Sequence, residues 1–189
     1  IDPASANLDP IACAKAITPK TKALVPVDYA GLPADLAAFR SLADSNGIVL
    51  IEDACHALGA DYRGKKIGAW SDLTVFSFHP VKSITTGEGG AVLTQNEGFY
   101  KKLVRFRDHG MQRGEDWKYS VEDLGINGRL TDLQCALGLS QLKRLDEFIE
   151  RRREIARRYE EIFKSWPELE LFTPTATTDS SRHLFVLKL

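Results

Sequence analysis

The run Asn46-Gly47-Ile48-Val49-Leu50-Ile51-Glu52-Asp53-Ala54-Cys55-His56 decides the fold. Asn46-Gly47 stops a helix expected to open at Pro33 and to run to about Ser45, with Leu32, Leu36, Phe39, Leu42 and Ala43 near helical spacing. Ile48 to Ile51 then reads as a strand whose apolarity is too continuous for one wet face, the pattern of a sheet covered on both sides. In open α/β sheets, ligands collect outside the carboxyl ends of the strands. Asp53 is therefore expected at a strand end, where a bound group would sit.

Helix and strand alternate on either side of this run. Pro10 to Ile17 reads as a short helix, and Ala23 to Val27 as a buried strand whose Pro26 favours an edge or a strand end. Downstream, Ala60 to Ile67 resembles a small hairpin. Leu73 to Phe78 and Ala91 to Thr94 read as strands, with Gly87, Gly89 and Gly90 punctuating the turn between them. Glu97 to His109 is expected to be a helix closed by Gly110. Met111 to Gly125 reads as a long polar loop, of a length usually tied to function.

Thr131 to Ser165 is strongly helical. Leu142, Leu145, Phe148, Ile149, Ile155, Tyr159, Ile162 and Phe163 make its apolar face, and Glu147, Arg151, Glu154, Arg158 and Glu161 its wet one. Trp166-Pro167 breaks the pattern. A polar connector from Thr173-Pro174-Thr175 through Asp179-Ser180-Ser181 leads to a last apolar strand, Leu184 to Leu189. These breaks divide the chain into a partial large domain, 1–143, and the start of a smaller carboxyl-terminal domain, 144–189. The fold class expected is α/β, a mainly parallel sheet with flanking helices.

Composition narrows the function. The chain has 189 residues, 25 Lys and Arg against 26 Asp and Glu, and a formal charge of −1, so no broad basic footprint for nucleic acid exists. No apolar run reaches the roughly 20 residues of a spanning helix, and Ile1-Asp2-Pro3-Ala4 lacks the build of a signal peptide. A cytoplasmic setting without membrane contact is expected. Cys13, Cys55 and Cys135 are odd in number and widely spaced, which suggests ordinary buried thiols. His79, His109 and His183 have no ligand spacing, so no metal site is expected. An internal start and an unfinished last strand suggest a piece of a longer chain.

The chemistry concentrates in Ser77-Phe78-His79-Pro80-Val81-Lys82-Ser83-Ile84-Thr85-Thr86-Gly87-Glu88-Gly89-Gly90-Ala91. It places a lysine between an apolar strand and a glycine-rich turn, with Asp53 on another strand end. That pairing points to pyridoxal phosphate. A lysine that bonds an aldehyde must reach it and be neutral part of the time. An acid beside the pyridine nitrogen keeps the ring protonated, and protonation makes it an electron sink. The glycines fit neither a Walker A pattern nor the G-x-G-x-x-G dinucleotide fingerprint.

At these residues the chain resembles the sugar aminotransferases of the DegT/StrS family, within fold-type I. The likeness extends from Asp2-Pro3 through Asn7 to Pro10, Ile17 to Ala23, Asp28-Tyr29-Ala30-Gly31 and Leu124-Gly125-Ile126-Asn127-Gly128-Arg129-Leu130-Thr131-Asp132 to His183-Leu184-Phe185. His79 to Lys82 followed by Ile84 to Gly90 resembles most the branch that makes the 4-amino precursor of pseudaminic acid. The resemblance implies transfer of an amino group from glutamate to a nucleotide-linked 4-keto-6-deoxysugar, with a UDP-linked N-acetylated sugar favoured. It also implies a homodimer with shared active sites and a full length about twice this chain's, as suits two domains. The piece alone is expected to be inactive.

Residue by residue, the resemblance makes Lys82 and Asp53 catalytic. Lys82, Asp53, His56, Ser77 and Asn127 become the cofactor-binding set, with His56 against the ring and its phenolic oxygen, Ser77 on the phosphate, and Asn127 reaching the phosphate of the neighbouring subunit. Arg129 orients that loop or meets the nucleotide. Gly128 departs from the aromatic residue common there. Blander roles compete: a solvated loop lysine for Lys82, a helix N-cap for Asp53, a core histidine for His56 and a strand-end serine for Ser77. Two other functions stay open, a regulatory or scaffolding member that retains the fold and a nicotinamide-dependent nucleotide-sugar oxidoreductase.

Overall fold

The computed structural model describes residues 1–114, 117–172 and 177–189. Asp9 starts α1 (Pro10–Ala16) by accepting the Ile11 N–H at 2.9 Å. β1 (Ala23–Leu24) follows, then a 3-10 turn at Tyr29–Gly31. α2 (Leu36–Asn46) begins later than Pro33, because Asp35 Oδ1 accepts the Ala38 N–H at 3.1 Å and so fixes the first turn. Gly47 ends it at φ 61°, its N–H turned back to the Ala43 and Asp44 carbonyls.

β2 (Val49–Asp53) pairs in parallel with β1, Ala23 opposite Val49. β3 (Asp61–Tyr62) and β4 (Lys65–Lys66) form the expected hairpin. β5 (Leu73–Ser77) lies parallel to β2, and β6 (Gly90–Leu93) antiparallel to β5, with Gly90 opposite Ser77. The sheet order β1-β2-β5-β6 is mixed and mostly parallel. β1 forms its edge, which accommodates Pro26 just beyond.

Leu36, Phe39 and Ala43 of α2 pack with Leu24, Leu50, Phe76 and the small residues Ala54, Ala57 and Ala60 into one core. Cover on both faces of β2 holds for alternate residues only. Leu50 and Glu52 are sealed, whereas Val49, Ile51 and Asp53 are half-buried, since α2 packs on one face. Phe39 is 0% exposed, so Phe39→Ala should destabilise the protein by about 3–5 kcal/mol. Chemical denaturation of the full-length protein measures this, and a loss below about 1 kcal/mol would mean that the core closes over the gap.

α3 (Glu97–Arg107) is capped by Asn96, which accepts the Phe99 N–H at 3.0 Å. It stops before His109 because His109 and Gly110 both turn left-handed, at φ 64° and 71°, and the Gly110 N–H reaches the Arg105 carbonyl at 2.8 Å. The long loop expected from Met111 is instead partly a hairpin of β7 (Met111–Arg113) and β8 (Tyr119–Val121), closed by Glu122 N–H donating to the Gly110 carbonyl at 2.9 Å. Residues 115 and 116 of that loop lie outside the described residues.

The single helical stretch expected from Thr131 is two helices, α4 (Asp132–Leu142) and α5 (Leu145–Phe163). α4 has its own start: Thr131 Oγ1 accepts the Gln134 N–H at 3.3 Å while Gln134 Oε1 accepts the Thr131 N–H at 2.9 Å. The apolar face of α5 is only partly covered, with Ile149 buried and Ile162 57% exposed. β9 (Glu170–Leu171) precedes β10 (Thr178–Asp179), which joins the β3–β4 hairpin, and β11 (Leu187–Lys188), which pairs with β9. The first part of the expected connector, 173–176, lies outside the described residues. The last strand is shorter than expected because Leu184 N–H is drawn to the Ala30 carbonyl at 3.2 Å, away from any ladder. The thiols also differ from expectation: Cys135 is exposed, and Cys13 and Cys55 are half-buried.

Candidate active site

Asp53 ends β2 between two neighbours. Its N–H donates to the Pro26 carbonyl at 2.9 Å, its carbonyl accepts the Asp28 N–H at 3.0 Å, and the next N–H, of Ala54, reaches the Val75 carbonyl at 2.9 Å. The carboxylate Oδ1 accepts the Cys55 N–H at 3.1 Å. Ala54 to Leu58 forms turns rather than a helix, with Ala57 N–H on the Ala54 carbonyl at 2.8 Å, so Asp53 closes a local turn and caps no helix. Burial, with Asp53 beside it, pushes the Cys55 thiol up to about 11. That thiol is no nucleophile at neutral pH.

Lys82 stands on the loop that leaves β5. The loop is built rather than loose: Thr86 N–H and Thr85 Oγ1 both donate to the Phe78 carbonyl, at 3.0 and 2.9 Å, and Ser83, Ile84 and Thr86 are buried. α4 braces it from outside, since Gln141 Oε1 accepts the Thr85 N–H at 3.0 Å and Gln134 Nε2 donates to the Glu88 carbonyl at 3.0 Å. Gly89, at φ 145°, leaves no room for a side chain: a Cβ there would sit 2.6 Å from Leu130 Cδ2 and 2.7 Å from Thr86 Oγ1. Lys82 is half-buried, and among the described residues its ammonium makes no ion pair.

Its charge acts on the turn after Asp53. Burial first and Lys82 second hold His56 below the ordinary imidazole value, and Lys82 opposes the upward push on Cys55. Lys82, Cys55 and His56 therefore share one neighbourhood, and Asp53 acts on the same two groups. Ser77 lies at the same sheet end, half-buried, with its Oγ accepting the His79 N–H at 3.3 Å. Asn127 is not brought to this cluster within the chain. It lies exposed, in an isolated β-bridge to Asp108, and Asp108 pairs with Arg129 at 3.2 Å.

The structure adds His183, which sequence spacing did not single out. Its ring centroid lies 4.5 Å from that of His56, and Nδ1 of both rings is buried without a partner among the described residues. Ser181 Oγ donates to the His56 carbonyl at 2.8 Å and Ser181 N–H to the Gly31 carbonyl at 3.0 Å, which fastens this late segment to the site. Burial, then His56 and Lys82, lower His183 from 6.5 to about 4. Both imidazoles are neutral at pH 7. Because the folded values lie below the unfolded one, their contribution to stability is lost as pH falls, for His183 from about 6.5 toward 4.

A half-buried amine without a counter-ion among the described residues, a carboxylate at a strand end and neutral imidazoles beside them suit an aldehyde-bearing aromatic cofactor with a ring nitrogen. No three metal-ligating side chains converge among the described residues. No helix there is long and apolar enough to cross a membrane.

Comparison with known proteins identifies the family. The model of the DegT/DnrJ/EryC1/StrS aminotransferase family matches residues 1–189. The UDP-4-amino-4,6-dideoxy-N-acetyl-beta-L-altrosamine transaminase of Helicobacter pylori is 40% identical over 179 residues, 95% of this chain and 48% of that protein. The solved structure of Helicobacter pylori PseC, an aminotransferase involved in pseudaminic acid biosynthesis, superposes with a TM-score of 0.91 at 40% identity, over 96% of this chain and 49% of that one. Spr1654 of Streptococcus pneumoniae, solved in a PLP-form, superposes with a TM-score of 0.88 at 31% identity, over 97% of this chain and 52% of that one. The chain spans about half the length of the curated relatives it matches. With its full length matched and its lysine, acid and imidazole gathered at one sheet end, the chain belongs to the DegT/DnrJ/EryC1/StrS aminotransferase family.

Proposed function

We propose that the whole protein transfers an amino group from glutamate to a nucleotide-linked 4-keto-6-deoxysugar, with a UDP-linked N-acetylated sugar favoured, using pyridoxal 5'-phosphate. The observation that carries this reading is Lys82, held on a braced loop, without a counter-ion among the described residues, and felt electrostatically at the Asp53–His56 turn. The cofactor, when bound, supplies an electron sink that stabilises charge at the carbon losing its proton. Lys82 would hold its aldehyde carbon and then move the proton between substrate and cofactor carbons. Asp53 would hold the ring nitrogen protonated, neutral His56 would lie against the ring, and Ser77 would donate to the phosphate.

The setting proposed is cytoplasmic synthesis of an amino sugar for bacterial surface glycans. The similarity to the altrosamine transaminase supports the substrate class. Family membership removes the nicotinamide alternative. Full-length protein incubated with glutamate and a panel of nucleotide-ketosugars, with products identified by mass spectrometry, tests the reading. Cofactor bound without glutamate-dependent turnover would support a regulatory member instead.

Residues 1–143 belong in this reading to the large domain and 144–189 to the start of a smaller one, a division supported by the break between α4 and α5 at Lys143 and Arg144. The active unit is a homodimer in which Asn127 completes the partner's phosphate site. Apolar side chains beside it support a covering copy: Leu124 is 89% exposed and Leu133 85%. Asn127→Ala should weaken cofactor retention. Mixing it with Lys82→Ala should restore part of the lost activity, because a heterodimer holds one site with both native groups; no recovery despite verified subunit exchange would contradict a shared site.

A further inference from the structure

Directly beneath Asp53 lie two carboxyl groups that no step above uses. Asp28, just past β1, and Glu52 of β2 are each 0% exposed. Asp28 Oδ1 accepts the Ala34 N–H at 2.9 Å, and Glu52 Oε2 accepts the Thr74 and Ser71 hydroxyls at 2.9 and 3.1 Å. Each group keeps a second oxygen, Asp28 Oδ2 and Glu52 Oε1, sealed from water without a donor among the described residues. The strand register brings the two together, since Val27 bridges Asp53 in parallel and the Asp28 N–H donates to the Asp53 carbonyl, and each carboxyl acts electrostatically on the other. Two carboxylates offer only acceptors, and a buried, unpaired negative charge is among the costliest features a core can hold. One proton between them resolves both oxygens at once.

We propose that Asp28 and Glu52 share one proton at neutral pH and act as positioning residues that lock the strand end carrying Asp53. The backbone supplies the linkage. Asp28 N–H holds the Asp53 carbonyl, the Asp53 N–H holds the Pro26 carbonyl, and Glu52 is the residue before Asp53, so a side-chain bond from Asp28 to Glu52 closes a frame around that peptide. Its catalytic consequence rests on the reading of Asp53 as the partner of the ring nitrogen.

The surrounding charges agree. Burial first, then Glu52, push Asp28 well above the usual carboxylate range, and Asp53 adds to this. Burial also raises Glu52, while the Thr74, Asp28 and Ser71 hydrogen bonds draw it back down. The groups acting most strongly on the pair come from β2, the turn before α2 and the start of β5, and none is basic. The folded chain keeps a proton that the unfolded chain releases near 3.8, so this stabilisation is present at acid pH and is lost as pH rises through the raised folded value.

Two measurements on the full-length protein test the proposal. Infrared spectra at neutral pH should contain a protonated carboxylic acid band, shifted in heavy water, that vanishes in Asp28→Asn and in Glu52→Gln but persists in Asp53→Asn. In each amide variant the side-chain NH2 replaces the shared proton. Absence of the band from the wild type, or its persistence in both amide variants, would overturn the shared proton, whatever the enzyme's substrate proves to be.

The second measurement is the rate of the half-reaction with glutamate. Glu52→Ala should lower it on the order of 10²-fold by letting Asp53 shift, and Glu52→Gln should recover most of that loss. The wild-type rate should fall at alkaline pH where that of Glu52→Gln does not. If Glu52→Ala does not fold, Asp28→Asn against Asp28→Ala makes the same comparison. Glutamine performing no better than alanine, with the infrared band present, would leave the proton in place but overturn its positioning role.

Discussion

Lys82→Ala in the full-length protein is expected to abolish the proposed amino transfer, with a loss on the order of 10⁴-fold or more, because in that reading one amine would both hold the cofactor and carry the proton. The fold should survive. Lys82 is half-buried, makes no ion pair among the described residues, and stands on a loop whose shape is set by Thr85, Thr86, Gln134 and Gln141. Truncating it removes none of those bonds, so stability should change by no more than about 0.5 kcal/mol. Borohydride reduction of the holoenzyme followed by peptide mapping gives an independent readout. The tag should fall on Lys82, and a tag on another lysine would remove Lys82 from this role even if the alanine variant were inactive.

The parts legible in the sequence were those fixed by local physics. The apolar run before Asp53, the Gly47 stop and the Gly87 to Gly90 turn each depend on neighbours in the chain, and the structure places β2, the end of α2 and the β5–β6 turn there. Lys82 could be singled out only together with Asp53, the Gly87 to Gly90 turn and the family resemblance of its motif, since its position alone fits a solvated loop lysine. The hairpin of β7 and β8 was not legible, because Met111-Gln112-Arg113 and Tyr119-Ser120-Val121 are short and mostly polar, and their pairing is decided across the turn. The boundary between α4 and α5 was hidden by helix-forming residues on both sides of Lys143.

Glu52 and His183 were missed for a different reason. A glutamate beside Asp53 reads as a solvated strand end, and only Asp28, Ser71 and Thr74, brought in by other segments, make its burial tolerable. His183 belongs to a segment fastened to Gly31 and His56 from far along the chain. Neither position carries a local signal. The residues read best from sequence touch the proposed chemistry, while those that hold it in place emerge only from packing.

Asp53→Asn should lower turnover on the order of 10²- to 10³-fold while leaving thermal stability nearly unchanged. The amide has almost the same size, and its oxygen can still accept the Cys55 N–H that closes the local turn. The backbone bonds to Pro26 and Asp28 do not involve the side chain. On the proposed reading, what would disappear is negative charge beside the ring nitrogen, and with it the preference for the protonated ring that makes the cofactor an electron sink. The loss should therefore appear in the proton-removal step, resolved by pre-steady-state measurement with glutamate and by a larger rate difference between protio and deuterio donor, while cofactor binding weakens less. A variant with normal rates would mean that Asp53 serves only the turn it closes, and that the ring nitrogen finds its partner elsewhere.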